Sequence, residues 1–541
     1  MKHFLLITLL VSTCAVSALA QATAGMGGLN GVVRDASGAV IPGAQVIVSN
    51  ESKGIRRVLQ SNEAGAFNAP ALVPASGYGV HVTRDGFAPF EAKNIEILVG
   101  QNLTINSTLQ VATTSSTVEV VDATPIVEQT KTEVSQVVES AQIQDLPING
   151  RRVDTFVLLT PAVVADGTYG LVSFRGIAGG NSFLTDGNDT TNQYYNENAG
   201  RTRISSQISQ DAVQEFQVLS NAYSAEHGRA SGGVINTVTR SGSNSTHGTG
   251  YWFFRNQELN ARDRYAFIKP DETRHQGGAS VGGKIIDNKL FYFFNTDITR
   301  RNFPLVASNT YSPLFDSNGD VIATCTKATA SQCDAARGFL ARNKTTIPRE
   351  SNQELLFGKL DWRPTDMHAI SASFNYLRWI APNGIQTAVA LTNGGGLGSN
   401  GDSTVRTRYG RLSWTGILKS NVVNEARFGW FKDRLYDEFN ASQVPVTGFA
   451  TITVAGVSNL GMANYLPRLN PSENRYQFAD NLTWTTGRHT VKFGLDIVNT
   501  RDYSNSLYNQ WGTYSYSTFD AFALDFSGNT AGAKNWTTFS Q

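Results

Sequence analysis

At 541 residues the chain exceeds one ordinary domain, and length alone suggests roughly three. A formal charge of +1 supplies no global field that would gather nucleic acid or acidic substrates. Charged residues make up only 16% of the chain, while 50 glycines and 10% aromatics suit strands and turns and argue against a helical protein.

The first predicted element is a secretory signal over 1–20. Lys2 and His3 precede an apolar run from Phe4 to Val16, and Ala18-Leu19-Ala20 offers a small-residue cleavage site before Gln21. The run is shorter than the roughly 20 residues that a spanning helix needs. Cys14 lies inside it, but Thr13 fits a lipoprotein cleavage site poorly. Cys325 and Cys333 then remain, and in an exported chain a local disulfide is the expectation. Neither has a second cysteine or a histidine at ligand spacing, so no metal site is read. No later apolar run approaches helix-spanning length, so any membrane crossing must use strands.

Residues 28–111 read as a small antiparallel β-sandwich. Short β-rich stretches (29–33, 44–49, 57–60, 79–84 and 103–109) are separated by turn clusters such as Asp35-Ala36-Ser37-Gly38 and Asn62-Glu63-Ala64-Gly65. Residues 112–119 are rich in Thr, Ser and Val and read as a connector. Residues 112–243 stay β-like but irregular.

From 246 to 541 the pattern becomes regular. Leu356, Gly358, Leu360 and Trp362 alternate with Phe357, Lys359 and Asp361. Ile370, Ala372, Phe374 and Tyr376 alternate with Ser371, Ser373 and Asn375. Ala426, Phe428 and Trp430 alternate with Glu425, Arg427 and Gly429, and Val491, Phe493, Leu495 and Ile497 with Lys492, Gly494 and Asp496. One face of each strand is thus apolar and the other polar. Tight turns are expected near Asp287-Asn288, Pro364-Thr365, Ser420-Asn421 and Thr486-Gly487, between strands of about ten residues. Long polar connections are expected near 300–353, 380–403 and 435–473. Compact soluble domains seldom carry structureless loops of that length, whereas outer-membrane barrels do. Tyr251, Trp252, Trp379, Trp414, Trp430 and Trp484 are candidates for interfacial aromatics.

Two resemblances sharpen this reading. Gly31-Val32-Val33-Arg34-Asp35 through Ile41-Pro42-Gly43-Ala44-Gln45-Val46, with Asn62-Glu63-Ala64-Gly65-Ala66-Phe67 and Gly86-Phe87, resembles the opening of carboxypeptidase regulatory-like domains; this implies no peptidase activity. Asp211-Ala212-Val213-Gln214-Glu215-Phe216-Gln217-Val218, then Tyr223-Ser224-Ala225-Glu226-His227-Gly228 and Gly232-Gly233-Val234-Ile235-Asn236, resembles the closing segment of the plug in TonB-dependent receptors. Phe174-Arg175-Gly176 with Asp186-Gly187 resembles the plug's R-G and D-G pair. The order of domains resembles the Oar-like group.

The resemblance implies an all-β chain: an N-terminal β-sandwich, a mixed plug domain over 112–243, and a partial antiparallel transmembrane β-barrel over 246–541. The plug motif residues are Arg175, Gly176, Asp186, Gly187, Gly232, Gly233 and Asn236. Asp186-Gly187 is expected to form a hairpin turn, and Arg175 a buried polar pair with the barrel wall. Ser116, Thr117, Val118, Glu119, Val120 and Val121 resemble a TonB box, a segment able to add as a strand to a partner's sheet.

The implied function is plug-gated passage of a bulky solute, energised by a TonB-type protein of the inner membrane. The partners are that protein, outer-membrane lipid and an extracellular ligand, with no nucleic acid and no cofactor. A structural or adhesion protein on the same scaffold is the alternative. An enzyme is disfavoured. The seven histidines are scattered with no H-E-x-x-H, no nucleophile elbow of the G-x-S-x-G type is expected, and Asp316 and Asp320 read as turn formers rather than a calcium loop. About ten barrel strands are expected against about 22 in plugged transporters, so position 541 is expected to be the end of a fragment or of a truncated product.

Overall fold

The computed structural model describes residues 25–541 except 113–118, 122–133, 147, 166–171, 194–196, 199–206, 222, 263, 265, 267, 305, 307–312, 317–319, 343–345, 385–400, 440–449, 488 and 530–531. The expected signal segment and the connector before Glu119 therefore lie outside the described residues.

The chain first forms β1 (Gly27–Asp35), β2 (Gln45–Asn50), β3 (Ile55–Gln60), β4 (Ala66–Leu72), β5 (Ala75–Thr83), β6 (Phe90–Ile97), β7 (Asn102–Thr104) and β8 (Ser107–Leu109). In β2, Val46 and Val48 point inward while Gln45 stays exposed, the period-two pattern of a half-buried strand. They meet Leu29, Phe67, Tyr78, Val80 and Phe90 in one core between two sheets. The turns rest on side chains: Asp35 Oδ1 accepts from the Ser37 and Ala39 amides, and Asn62 Oδ1 from those of Ala64 and Ala66. One expectation needs correction. The sandwich is not purely antiparallel, because β1 pairs antiparallel with β4 but parallel with β7 and β8. A three-residue strand, β9 (Glu119–Val121), lies parallel to β6 at the edge of the second sheet.

An inner domain comes next. It contains β10 (Val134–Val138), α1 (Ser140–Asp145), β11 (Val163–Ala165), β12 (Val172–Phe174), β13 (Ile177–Ala178), β14 (Ser182–Thr185), β15 (Asn188–Asp189), β16 (Thr191–Asn192), β17 (Glu197–Asn198), β18 (Val213–Asn221) and β19 (Val234–Thr239). Its central sheet runs β10-β18-β19-β14-β15. Phe174, Phe183, Phe216, Val218 and Ile235 fill its core, which also takes in Phe293 and Phe357 from the third domain.

That third domain is one nine-stranded antiparallel sheet: β20 (His247–Asn256), β21 (Thr273–Ile286), β22 (Leu290–Asn302), β23 (Glu350–Thr365), β24 (His368–Ala381), β25 (Gly401–Lys419), β26 (Val422–Phe439), β29 (Arg468–Thr486) and β30 (His489–Ser506). Its register sorts the two faces. Leu360, Ala372, Leu412, Phe428, Phe478 and Ile497 lie opposite one another along one row, with all but Ala372 large, apolar and exposed. One residue along, Lys359, Ser373, Arg411, Gly429 and Gln477 form the adjacent row on the opposite face. A water-soluble sheet would not hold a whole face of exposed Leu and Phe; a lipid-facing barrel wall does. Among the described residues no helix is long and apolar enough to cross a membrane.

Short turns join β21 to β22, β23 to β24, β25 to β26 and β29 to β30, at the positions expected. The strands, at up to 19 residues, exceed the expected ten. Crossing takes about 9–11 residues; the surplus in β24, β25 and β26 carries Arg378, Arg406 and Arg434 beyond the apolar band. Trp252, Trp414, Trp430 and Trp484 lie on the outer face. Tyr251 and Trp379 do not: both fall in the inward phase, Tyr251 donating to Asp297 and Trp379 to Ser351 Oγ at 2.8 Å.

Among the described residues, segments outside the large sheet form structure of their own. α2 (Ala330–Arg342), β27 (Thr451–Val454), β28 (Val457–Gly461), β31 (Thr513–Tyr516), α3 (Phe519–Phe526) and β32 (Thr538–Ser540) share a hydrophobic core built from Phe339, Leu340, Ile452, Val454, Phe519 and Phe522. Cys325 and Cys333 are joined by a disulfide beside it, with Cα atoms 6.0 Å apart. Asp520 ties this cap together by accepting the amides of Thr326, Lys327 and Ala328 at α3's first turn. Asp316 Oδ1 accepts the Asp320 amide at 2.9 Å, which makes the pair a turn.

Candidate functional site: the polar seam between inner domain and barrel

Two tight hairpins shape the inner domain, and the second carries its contact with the barrel. Arg175-Gly176 joins β12 to β13 and Asp186-Gly187 joins β14 to β15. All four residues have positive φ (52°, 80°, 47° and 80°), the geometry two-residue hairpins need and the reason for Gly at the second position. Asn236, fully buried on β19, accepts the Gly187 amide through Oδ1 at 3.0 Å. Gly232 and Gly233 permit close packing: a Cβ on the first would lie 2.2 Å from Asn181 Oδ1, and on the second 2.4 Å from the Phe174 ring. Asp186, Gly187 and Asn236 thus build the second hairpin, Gly176 completes the first, and Gly232 and Gly233 let the chain pack against Asn181 and Phe174. Arg175 does not reach the wall. It is exposed and donates to the Gly232 carbonyl at 3.3 Å within its own domain.

Asp186 is both turn and contact. It is 4% exposed, accepts from the Thr239 amide at 2.8 Å and hydroxyl at 2.6 Å, and lies 3.6 Å from both Lys359 on β23 and Arg411 on β25. Burial pushes its carboxyl up, but the two cations and the Thr239 hydrogen bonds outweigh that and hold it below the usual carboxylate range. Arg411 also donates to Asn188 Oδ1 at 3.2 Å.

Three residues on, Asp189 pairs with Arg475 of β29 at 2.9 Å and with Arg229 of its own domain at 2.7 Å. Arg475 is held by Glu473 at 2.7 Å and lies over the Phe431 ring. Asn192 Nδ2 reaches Asp433 at 3.0 Å and Glu473 at 3.1 Å, and Gln477 Oε1 accepts the Asp189 amide at 2.8 Å. Farther along, Glu226 meets Lys492 at 2.7 Å. The seam is therefore buried, charged and paired across two domains. Lys359 was legible only as a polar-phase residue of its strand, and Arg411, Glu473, Arg475 and Gln477 were not singled out, since nothing in the alternation names their partners.

On the side of the short turns, the sandwich closes against both other domains. Lys53 Nζ donates to the carbonyls of Ser241 (3.1 Å) and Gly242 (3.0 Å), and Asn62 Nδ2 to that of Gly487 (2.7 Å). Glu215 Oε1 of β18 accepts the Val99 amide at 2.8 Å. A cavity of about 90 Å³ lies where the three domains meet, lined by Lys53, Arg57, Asp186, Lys359 and Arg411 among others.

Of the TonB-box candidates, Ser116, Thr117 and Val118 lie outside the described residues, while Glu119, Val120 and Val121 form β9. Contrary to expectation, the letters G-x-S-x-G do occur, as Gly278-Ala279-Ser280-Val281-Gly282. They sit in mid-strand β21, where Ser280 Oγ bonds Thr249 Oγ1 at 2.7 Å, and not at the sharp strand-to-helix turn that exposes a nucleophile. Among the described residues no group of His, Cys, Asp and Glu is placed to hold a metal.

A closed polar seam on one face and exposed apolar rows on the other define an outer-membrane β-barrel protein. Residues 238–539 match the family described as outer membrane beta barrel domain, and the chain belongs to it; residues 28–110 match the carboxypeptidase regulatory-like domain. The chain is homologous to the TonB-dependent transporter Oar of Myxococcus xanthus, 25% identical over 424 residues, which is 72% of this chain and 38% of that protein. Among solved structures it is similar to the outer membrane transporter YddB of Escherichia coli (TM-score 0.49, 13% identity, 71% of this chain and 50% of that one) and to the siderophore receptor PirA of Acinetobacter baumannii (0.44, 15%, 68% and 48%). The chain thus spans about half the length of these structures, and less of the curated relative. Its place is the outer membrane, and these relatives are described as transporters and receptors, not enzymes.

Proposed function

We propose that the chain is part of a TonB-dependent transporter, in which the inner domain (112–243) is a plug that stops passage of a bulky solute until it is pulled aside. The chain itself performs no covalent chemistry. The observation that carries this reading is the charge-paired seam around Asp186 and Asp189. Polar contacts can be exchanged for water at modest net cost, whereas an apolar core cannot. Beside the apolar contact of Phe293 and Phe357 with its core, the stopper is held by contacts of the first kind, which suits release and reseating.

The segment Ser116–Val121 is the handle. Its last three residues already lie as an edge strand on the sandwich, with β9 at the end of its sheet. A TonB-type protein would add its own strand to that edge, and tension would pass from 121 into β10 and the rest of the plug.

The test is binding of a purified TonB-type periplasmic domain from the same host to the full-length protein, with and without residues 116–121. Loss of binding on deletion supports the reading. Undiminished binding after deletion, or none to the intact protein, removes the handle and with it energised transport.

A further inference from the structure

The register also places cations on the outer surface. Tyr376, Arg408 and Lys432 lie opposite one another across β24, β25 and β26, and Arg378, Arg406 and Arg434 occupy the adjacent outward positions. With strands about 4.8 Å apart and same-face residues about 6.8 Å apart along each strand, five cations share a patch of roughly 10 by 7 Å. Arg406, Arg408 and Arg434 are exposed and Lys432 is half-buried. Arg378 is matched by Glu354 at 3.1 Å, which also takes Arg300 at 2.7 Å. Among the described residues no ion pair involves Arg406, Arg408, Lys432 or Arg434. The nearest acids farther along this face, Asp402 and Glu438, lie opposite each other four residues beyond Arg406 and Arg434, about 13 Å away along the strands.

The patch has a fixed place relative to the bilayer. It begins one outward position beyond the row containing Phe374, Gly410, Trp430 and Tyr476, at the margin of the apolar band. It lies toward the ends of β24, β25 and β26 that lead into the long connections, away from the sandwich and the short turns, so it faces the outer leaflet. Arg408 stands over the Tyr376 ring at 5.5 Å, an aromatic of the kind found at headgroup depth. Like charges held this close on a rigid sheet call for a counter-charge. Guanidinium groups match phosphate with paired, planar hydrogen bonds.

We propose that this patch binds the phosphates of an anionic amphiphile of the outer leaflet, whose acyl chains lie along the rows headed by Leu412, Phe428 and Phe478. Continuity with the apolar band commits the site to a lipid: a soluble anion would gain nothing from those rows. The inference depends on the barrel's orientation and not on the transport reading.

The test is binding to the full-length protein in neutral-detergent micelles, read by native mass spectrometry. The probes are bis-phosphorylated lipid A and its dephosphorylated form with the same acyl chains. We expect at least tenfold preference for the phosphorylated form, loss of that preference in R406Q/R408Q/K432Q/R434Q, its reduction without loss in R406K/R408K/R434K, and no displacement by inorganic phosphate. Heat-modifiable gel migration confirms that each variant is folded. A photoreactive bis-phosphorylated lipid A is expected to label β24–β26 of the unmodified protein, which keeps the idea testable if the quadruple variant does not fold. Equal binding of both lipids by the unmodified protein, labelling elsewhere, or undiminished preference in the folded quadruple variant would overturn the proposal. Displacement by inorganic phosphate would overturn it in favour of a free-anion site.

Discussion

The carboxylate of Asp189 and the guanidinium of Arg475 lie 2.9 Å apart, both buried, one on an inner-domain strand and the other on barrel strand β29. Removing one member of a buried ion pair costs about 3–5 kcal/mol where a partner is left without a counter-charge; without Arg475, Glu473 loses its cation, while Asp189 keeps Arg229. Arg475→Gln is therefore expected to destabilise the protein by about that amount. The double variant with Asp189→Asn is expected to lose less than the sum of the two single changes, as measured by urea unfolding in detergent. Additivity within about 0.5 kcal/mol would mean that the two residues are not coupled.

Glu215 makes docking of the sandwich pH-dependent. Burial, opposed by the Val99 hydrogen bond and reinforced by Glu96 and Glu139, pushes its carboxyl up to about 8 from an ordinary 4.5. The docked state thus binds the proton more tightly than the undocked one. Docking is fully stabilised below pH 4.5 and loses that contribution as pH rises through 8. Protease cleavage between the sandwich and the inner domain is expected to increase between about pH 6 and about pH 9, after correction for protease activity. Glu215→Gln is expected to flatten the response; an unchanged profile in that variant would assign it to another group.

Gly233→Ala sets a Cβ 2.4 Å from the Phe174 ring, which is itself fully buried. Overpacking of this kind costs about 1–3 kcal/mol. Added Phe174→Leu is expected to restore part of it, measured by chemical unfolding. A neutral Gly233→Ala would show that the ring moves freely.

The Cys325–Cys333 bridge closes a short loop beside the cap core. By the chain-entropy argument, its loss costs about 2–3 kcal/mol. Reduction, or Cys325→Ser with Cys333→Ser, is expected to sensitise 313–342 to protease while the barrel strands stay protected. Equal protection of the cap in both forms would show that Phe339, Leu340 and Phe522 hold it unaided.

Much of the wall was legible because lipid on one side and polar contact on the other impose a strict period of two. Leu360 and Phe428 could be assigned to a face from their neighbours alone. The Asp186-Gly187 turn was legible because a two-residue hairpin demands those residue types. What stayed hidden depends on residues far apart in sequence. Phe339, Val454 and Phe522 build the cap from three connections, none of which carries a complete apolar face. The pairing of Asp186 with Arg411 spans 225 positions (411 minus 186), and alternation marks the arginine's face without naming its partner. Arg175 was misjudged for the same reason: its letters do not reveal that it meets the Gly232 carbonyl, 57 positions away in its own domain.

The central claim is that the sheet from β20 to β30 separates lipid from the inner domain. Single-cysteine spin labels at 411, 412, 428, 429, 477 and 478, read in bilayers against a lipid-soluble and a water-soluble relaxant, test it most directly. The account predicts that 412, 428 and 478 respond to the lipid-soluble agent while 411, 429 and 477 respond to neither. Equal response to the water-soluble agent at all six would place the sheet in solution and contradict it.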